Sequence, residues 1–493
     1  MSEAKPKLLK SKFFWVAVLY FAEGFPLGVF YEIFPVYFRQ QGVELRDIGV
    51  LSLLGLAWTL KFVWAPAVDH YRHHRRWMAV VDLAMGTVMI AFAMSTGLPS
   101  WVWVAIGVFT LLSATNDIAI DGYTIELLNR DELGRANGLR IGFYRVGMLA
   151  SGGVLILSDY LAWGGAFVCA AAILAAMAVA CLAAPREAQI PRSQSISLRA
   201  EFSGLLAQPT ALGAVLLLVL GTLWLIDNAT HWSNSIASFW PLAIGAVTVG
   251  FFGLWLLSRG RNAAAGTRQL ERGPMFGALL ELLRRRYILP VLAFILIFKL
   301  PDSAMGFMVK PFWVDSGFSA TEIGLVSVNI GLGLSIAGGI AGGWYADRVG
   351  IFKALWVLGL LQALSNLGYA LAASVIPPAA SGAVLSFDHR LLMYAASATE
   401  SFTGGLGTAA FLAFMMAIVN KQHSATEYAL LSSVFALSRS VAGWAGGFGA
   451  QSMGYAPYFL LTFFLAAPAY ALLPWVSRML KFAESQSEPQ ISR

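Results

Sequence analysis

The sequence predicts an all-α membrane protein of about 14 transmembrane helices, grouped as six, two and six, with both termini on the cytoplasmic side. Three observations carry this expectation. The 493-residue chain is 58% apolar and only 12% charged, with a mean hydropathy of +0.68, too oily for a water-soluble surface. Its apolar runs repeatedly reach the roughly 20 residues that a bilayer core about 30 Å thick requires. Of its 34 Lys and Arg, only Arg39, Arg46 and Arg390 fall in loops on the side opposite the N-terminus, the asymmetry that cytoplasmic loops produce.

Taken in order, Lys5, Lys7, Lys10 and Lys12 lead into the apolar stretch Phe13 to Phe38, too long for the apolar core of a removable signal and read as the first span. Further spans are expected near 46–68, 77–97, 101–128, 138–160 and 163–184, completing an N-terminal bundle over 1–184. The second bundle, 287–480, is expected to hold spans near 287–314, 321–346, 352–375, 389–419, 425–450 and 455–478, followed by a cytoplasmic tail at 481–493. Between the bundles, 185–286 contains two more apolar runs, near 210–226 and 236–257, set between polar segments. The two cysteines, Cys169 and Cys181, fall on one span about 18 Å apart along its axis, too far for a disulfide.

A similar signal follows the second span of each bundle: Asp69-His70-Tyr71-Arg72 after Ala65-Pro66-Ala67-Val68, and Asp347-Arg348 within Gly342-Gly343-Trp344-Tyr345-Ala346-Asp347-Arg348-Val349-Gly350. An acid followed by bases at this place resembles the loop between helices 2 and 3 of major facilitator transporters, where it helps to hold one conformation. Taken alone, a single copy reads as ordinary helix capping. Two copies at corresponding places point to two parallel repeats related by an axis along the membrane normal.

Ionisable groups inside a span cost several kcal/mol unless they are paired or face water, so each asks for a reason. The first bundle carries Glu23, Glu32, Lys61, Asp117, Asp121, Glu126 and Arg145, and the second Lys299, Asp302, Lys310, Glu400 and Arg439. Asp117 and Asp121 are four apart, on one helix face with Asn116 alongside, and Arg145 on the next span is their expected partner. Such a cluster can be a structural ion pair, a proton-coupling site, or both. Lys299 and Asp302 are three apart beside Pro301, which should loosen the seventh span where transporters commonly place solute sites. Glu23 and Glu32 flank Gly24-Phe25-Pro26-Leu27-Gly28, another expected interruption facing a cavity, and Glu400 opens the glycine-rich run Glu400 to Gly407.

Phosphate-loop, His-Glu-x-x-His and Gly-x-Ser-x-Gly signatures do not occur, which argues against an ATP-driven pump, a zinc protease or a serine hydrolase. No metal, cofactor or nucleic acid is expected. The histidines near Arg72 read as a solvated basic loop. Any driving energy would then come from an ion gradient, with buried carboxylates as carriers.

Ser113-Ala114-Thr115-Asn116-Asp117-Ile118-Ala119-Ile120-Asp121-Gly122-Tyr123 resembles the signature of AmpG-type muropeptide permeases and their acetyl-CoA transporter relatives within the major facilitator superfamily. Lys61 with Phe62-Val63-Trp64-Ala65-Pro66, Tyr144-Arg145-Val146-Gly147, Lys299-Leu300-Pro301-Asp302, Ser365-Asn366-Leu367-Gly368-Tyr369, Glu400 with its glycines, and Arg439 are similar to the same family, in order through both bundles. Two features depart from it. The extra helix pair lies between the bundles instead of after them, and Glu23 and Glu32 stand where the familiar permeases are apolar or small.

The resemblance implies proton-driven uptake of GlcNAc-anhydromuramyl peptides across a bacterial inner membrane for wall recycling, by a monomeric, multi-pass permease that is not an enzyme. Acetyl-CoA or a siderophore would be alternative anionic cargoes, and a membrane-embedded enzyme acting on acyl or lipid-linked substrates is the rival of another class. In this reading Asp117, Asp121, Glu126 and Arg145 couple protons. Cargo lies near Lys299, Asp302, Glu400, Arg439, Lys61, Asn366, Glu23 and Glu32, while Asp69, Arg72, Asp347 and Arg348 act in conformational loops.

Overall fold

In the computed structural model the described residues are 11–186, 210–256, 282–419 and 424–487, apart from 62–63, 65–67, 69–72, 96, 129–132, 211, 218–219, 222–248, 251 and 254–255. The side chains of 125–126, 133–138, 141, 424–427, 429 and 483–487 are also outside the description.

Helices account for the spans expected in both bundles. The first bundle contains α1 (Lys12–Gln40), α2 (Leu45–Leu54 continuing as Leu56–Leu60), α3 (His74–Met94) and α4 (Trp101–Leu127). Its last two spans run as one helix, Leu133–Ala183, turned sharply at Ala162 (φ 53, ψ 173) into α5 (133–161) and α6 (163–183). The second bundle comprises α7 (Ile288–Asp315), α8 (Ala320–Val349), α9 (Ile351–Val375), α10 (Phe387–Ala417), α11 (Ser424–Met453) and α12 (Tyr455–Phe464 with Ala467–Ser487). Eight of the described stretches are long and apolar enough to cross a membrane by themselves. The pair expected at 210–257 lies largely outside the described residues.

The two proline-based expectations come out differently. Pro301 lacks the N–H that would continue α7, and the helix breaks at Lys299 (φ −95, ψ 4) before resuming at Leu300. Pro26 interrupts nothing. α1 runs through it and widens one turn later, over Val29–Ile33, into π-type winding that swings Glu32 inward.

Apolar side chains such as Val80, Met94, Val104, Val179, Ile340 and Phe464 are exposed, as a lipid-facing perimeter requires. Inside, packing differs between the two ends of the bundle. Toward the end away from the N-terminus, one continuous apolar core joins both bundles, running from Phe30, Phe34 and Tyr37 to Phe307, Phe312 and Trp313. Toward the N-terminal end the core divides, with Trp15, Leu19, Ile120 and Tyr123 in one cluster and Phe294, Leu355, Phe411 and Phe414 in another. The bundles are thus fused at the far end and separate at the near end.

Small residues make the far-end seam possible. A Cβ on Gly49 of α2 would sit 2.8 Å from Gly447 Cα of α11, and one on Gly324 of α8 would sit 2.7 Å from the Gly152 carbonyl oxygen of α5. Between lipid-embedded helices such close van der Waals contact is the main source of attraction. Arg39 at the end of α1 adds an ion pair to Asp315 of α7 at 2.5 Å, and the Tyr455 hydroxyl donates to the same carboxylate at 2.7 Å. Gly49→Val is expected to push this seam apart, because the obstructing atoms are backbone. A cysteine at Gly306, where a Cβ meets nothing within 4 Å, should then label several-fold faster with a membrane-impermeant maleimide added from the far side.

Candidate functional site

Between the bundles lies a chamber of about 620 Å³. Each bundle supplies charged side chains to its wall, Glu23, Glu32, Asp117, Arg140 and Arg145 from the first and Lys299, Asp302, Lys310, Glu400 and Arg439 from the second. The charges that are costly in lipid therefore converge on one space.

In the first bundle, the four-residue spacing places Asp117 and Asp121 on one face of α4, as expected, but Arg145 is not their partner. Lys61 pairs with Asp117 and lies 4.0 Å from Asp121, while Arg140, one turn before Arg145 on α5, meets Asp121 at 3.0 Å. Tyr20 donates its hydroxyl to Asp121 at 2.9 Å, and the Arg140 guanidinium rests 4.9 Å from the centre of the Tyr20 ring. Lys61, expected beside the cargo, thus belongs to the acid cluster. The same is true of Glu23, which lies against Asp117 with its Oε2 buried and without a hydrogen-bond partner. Arg145 extends across the chamber, donating to Ser335 Oγ of α8 at 3.0 Å. The helical period explains the correction: five residues separate Arg140 from Arg145, enough to turn the second arginine from the α4 side toward the opposite bundle.

In the second bundle, Lys299 and Asp302 form the expected pair at 3.0 Å across the break in α7, with Lys299 only 2% exposed. Glu400 of α10 stands beside them and accepts from Ser401 Oγ at 3.3 Å. Glu32 and Lys310 join the bundles through an ion pair at 2.9 Å, and Lys310 also donates to Ser327 of α8 at 2.7 Å. Arg439 of α11 lies over the Tyr31 ring at 4.1 Å. Tyr31, Trp58 and Phe307 form an aromatic ceiling, the Tyr31 and Phe307 rings 5.5 Å apart and edge to face.

Asn366 does not reach the chamber. Its amide donates to Thr462 of α12 at 3.0 Å within the packed interior of the second bundle, because its position on α9 faces α12 and not α10. Asn116 likewise turns away from the acid cluster and donates to Asp82 of α3 at 2.8 Å, with the Cys181 thiol 3.6 Å from the other Asp82 oxygen. Asp82 and Arg140 are the two charged residues that sequence reasoning passes over. An acid in the middle of the third span was the available signal for the first, whereas Arg140 reads as a loop cation. Asp347 and Arg348 are exposed, with Arg348 over the Trp344 ring at 4.1 Å. Asp69, Arg72 and the Glu126 side chain lie outside the described residues. Among the described residues no three His, Cys, Asp or Glu side chains are grouped so as to hold a metal ion.

Two helical bundles around a shared charged chamber, wrapped in exposed apolar side chains, give the chain the two-bundle, multi-pass fold seen in solved membrane transporters. Solved structures share this fold, among them the POT family transporter PepTSo (TM-score 0.68, 12% identity, 98% of this chain and 99% of that one) and an auto-inhibited POT family peptide transporter (0.65, 13%, 99% and 98%). In sequence, the chain is 26% identical to the anhydromuropeptide permease of Escherichia coli K12 over 470 residues, covering 92% of this chain and 78% of the permease. It is 24% identical to the putative transporter AmpG 4 of Rickettsia conorii over 94% of this chain and 96% of that protein. A family model described as acetyl-coenzyme A transporter 1 matches residues 12–100. The resemblance to AmpG-type permeases and acetyl-CoA transporter-like proteins thus holds beyond the α4 segment that first signals it.

Proposed function

We propose that the protein is a proton-coupled permease of the bacterial inner membrane that imports anhydromuropeptides by alternating access. The observation that carries this reading is the pair Arg145 and Arg439, one from each bundle, which face the same chamber and have no carboxylate partner among the described residues. Cations in that situation bind carboxylates well, since a guanidinium presents a planar fork of donors to a planar anion. A ligand held by both would also draw the bundles together at their open near end, the differential contact that a conformational change requires. The aromatic ceiling of Tyr31, Trp58 and Phe307 suits the apolar face of a sugar ring. Similarity to a named anhydromuropeptide permease along 92% of the chain supports this cargo over others.

Proton coupling rests on the acid cluster. Among the described residues, the cations facing Glu23, Asp117 and Asp121 are Lys61 and Arg140, so charge balance leaves room for one proton. Acetyl-CoA is the second reading, favoured by the family model over 12–100 and equally compatible with two free arginines. Purified protein in liposomes with an acidic exterior is expected to accumulate labelled GlcNAc-anhydromuramyl tripeptide unchanged, and to lose that accumulation when a protonophore is added. Accumulation of acetyl-CoA instead would select the second reading. Cargo recovered chemically altered would show an enzyme.

A further inference from the structure

Among the described residues, the chamber and the acid cluster on its wall hold six carboxyls and six cations, and their pairing is not even. Four ion pairs form: Lys61–Asp117, Arg140–Asp121, Lys299–Asp302 and Lys310–Glu32. Two arginines and two glutamates remain, and each bundle contributes one of each. Glu23 is the surplus acid of the first bundle and Glu400 that of the second. Their settings match as well, since each glutamate lies beside an aspartate that a lysine already neutralises. Glu400 Oε1 and Asp302 Oδ1 converge on Gly404, lying 3.7 and 3.8 Å from where its Cβ would be.

We propose that Glu400 is a second proton-carrying carboxyl, so that two protons accompany each cargo, one through each bundle. The inference extends the proposed coupling at Glu23 and rests on that reading. The groups facing Glu400 are Asp302, Lys299 and Lys310 of α7 and Tyr369 of α9, with Glu32 of α1 beyond Lys310. Both lysines are already committed to other carboxylates. A negative charge on Glu400 would stand against Asp302 without a cation of its own, whereas a proton removes the conflict.

A separate observation places a second polar space beside that proton. Behind Asp302, on the side away from the chamber, is a pocket of about 10 Å³ between α7, α9 and α12. Gln362 and Asn366 line it, 6% and 1% exposed, and Gln362 Nε2 and Asn366 Oδ1 have no hydrogen-bond partner. The space fits one water molecule, which can accept from the first amide and donate to the second. A cation would be repelled by the Gln362 amide and by Lys299. Asp302 borders both spaces, so a proton shared between Asp302 and Glu400 lies between the chamber and this second polar space.

Two measurements on the full protein in lipid test this. Besides the band of Asp82, which is buried among neutral partners, infrared spectra at neutral pH should contain two carboxylic C=O bands that shift in D2O, one lost in Glu23→Gln and the other in Glu400→Gln. Retention of both bands in Glu400→Gln would overturn the inference even if no cargo is yet identified. In liposomes, the reversal potential for the labelled tripeptide should fall from two protons per cargo to one in Glu400→Gln, with exchange of cargo across the membrane preserved. Unchanged stoichiometry, or loss of exchange together with accumulation, would assign Glu400 to cargo binding and refute the proposal. Failure of the wild-type protein to move the tripeptide, with both bands present, would count against the cargo alone.

Discussion

Replacing Arg145 or Arg439 with glutamine should weaken cargo binding more than any other single change in the chamber. Each arginine has a weak partner, a serine hydroxyl for Arg145 and the face of Tyr31 for Arg439. Whatever carboxylate the cargo brings therefore competes with little. Losing one partner of a desolvated charge pair costs about 2–5 kcal/mol, and the lower end applies in a chamber open to water, roughly thirtyfold in Kd. Lysine should recover only part of this, because a point charge cannot reproduce the two-pronged contact. The four lysine and arginine members of the existing ion pairs serve as controls. Lys310→Met frees Glu32 and breaks a link between the bundles, so its effect should fall on the conformational balance and leave intrinsic affinity less affected. Isothermal titration with the tripeptide distinguishes the cases. Equal losses in Lys310→Met and Arg439→Gln would mean that the arginines hold no privileged position.

Much of this arrangement could be read from the sequence because lipid punishes charge so heavily. Twelve ionisable positions stand out against oily segments, and nine of them, Glu23, Glu32, Asp117, Arg145, Lys299, Asp302, Lys310, Glu400 and Arg439, line the chamber, while Lys61 and Asp121 belong to the acid cluster on its wall and the Glu126 side chain lies outside the description. Pairing was the illegible part. Adjacency of spans predicts Arg145 as the partner of Asp117 and Asp121, whereas the rotation of α5 brings Arg140 to Asp121 and sends Arg145 across to Ser335, leaving Asp117 to Lys61. The bond between Glu32 and Lys310 joins residues from different bundles, and nothing local in either segment announces it. Asn366 shows the converse error. A polar residue in a family-like motif reads as a cargo contact, yet its amide nitrogen donates to Thr462 of α12 inside the bundle. Fold-level periodicity records which residues leave the lipid face; the angle at which two helices meet decides what they find there.

Glu23→Gln should separate transport from the proton carried by the first bundle. The amide keeps the shape of the protonated acid and cannot release a proton, so the acid cluster is held at the charge balance of its loaded state, two cations against Asp117 and Asp121. Cargo should still exchange across the membrane, since Arg145, Arg439 and the Glu32–Lys310 link are untouched. Accumulation should lose the part of its pH dependence that Glu23 carries: each coupled proton contributes about 1.4 kcal/mol per pH unit, roughly tenfold in the concentration ratio, and one such factor disappears with this carrier. Asp117→Asn is expected to behave differently. It strips Lys61 of its nearest counter-charge in a largely buried site, which costs about 3–5 kcal/mol and should lower the melting temperature along with all transport. The contrast between the two variants is the informative result, because a merely structural cluster would make both of them unstable and neither of them uncoupled.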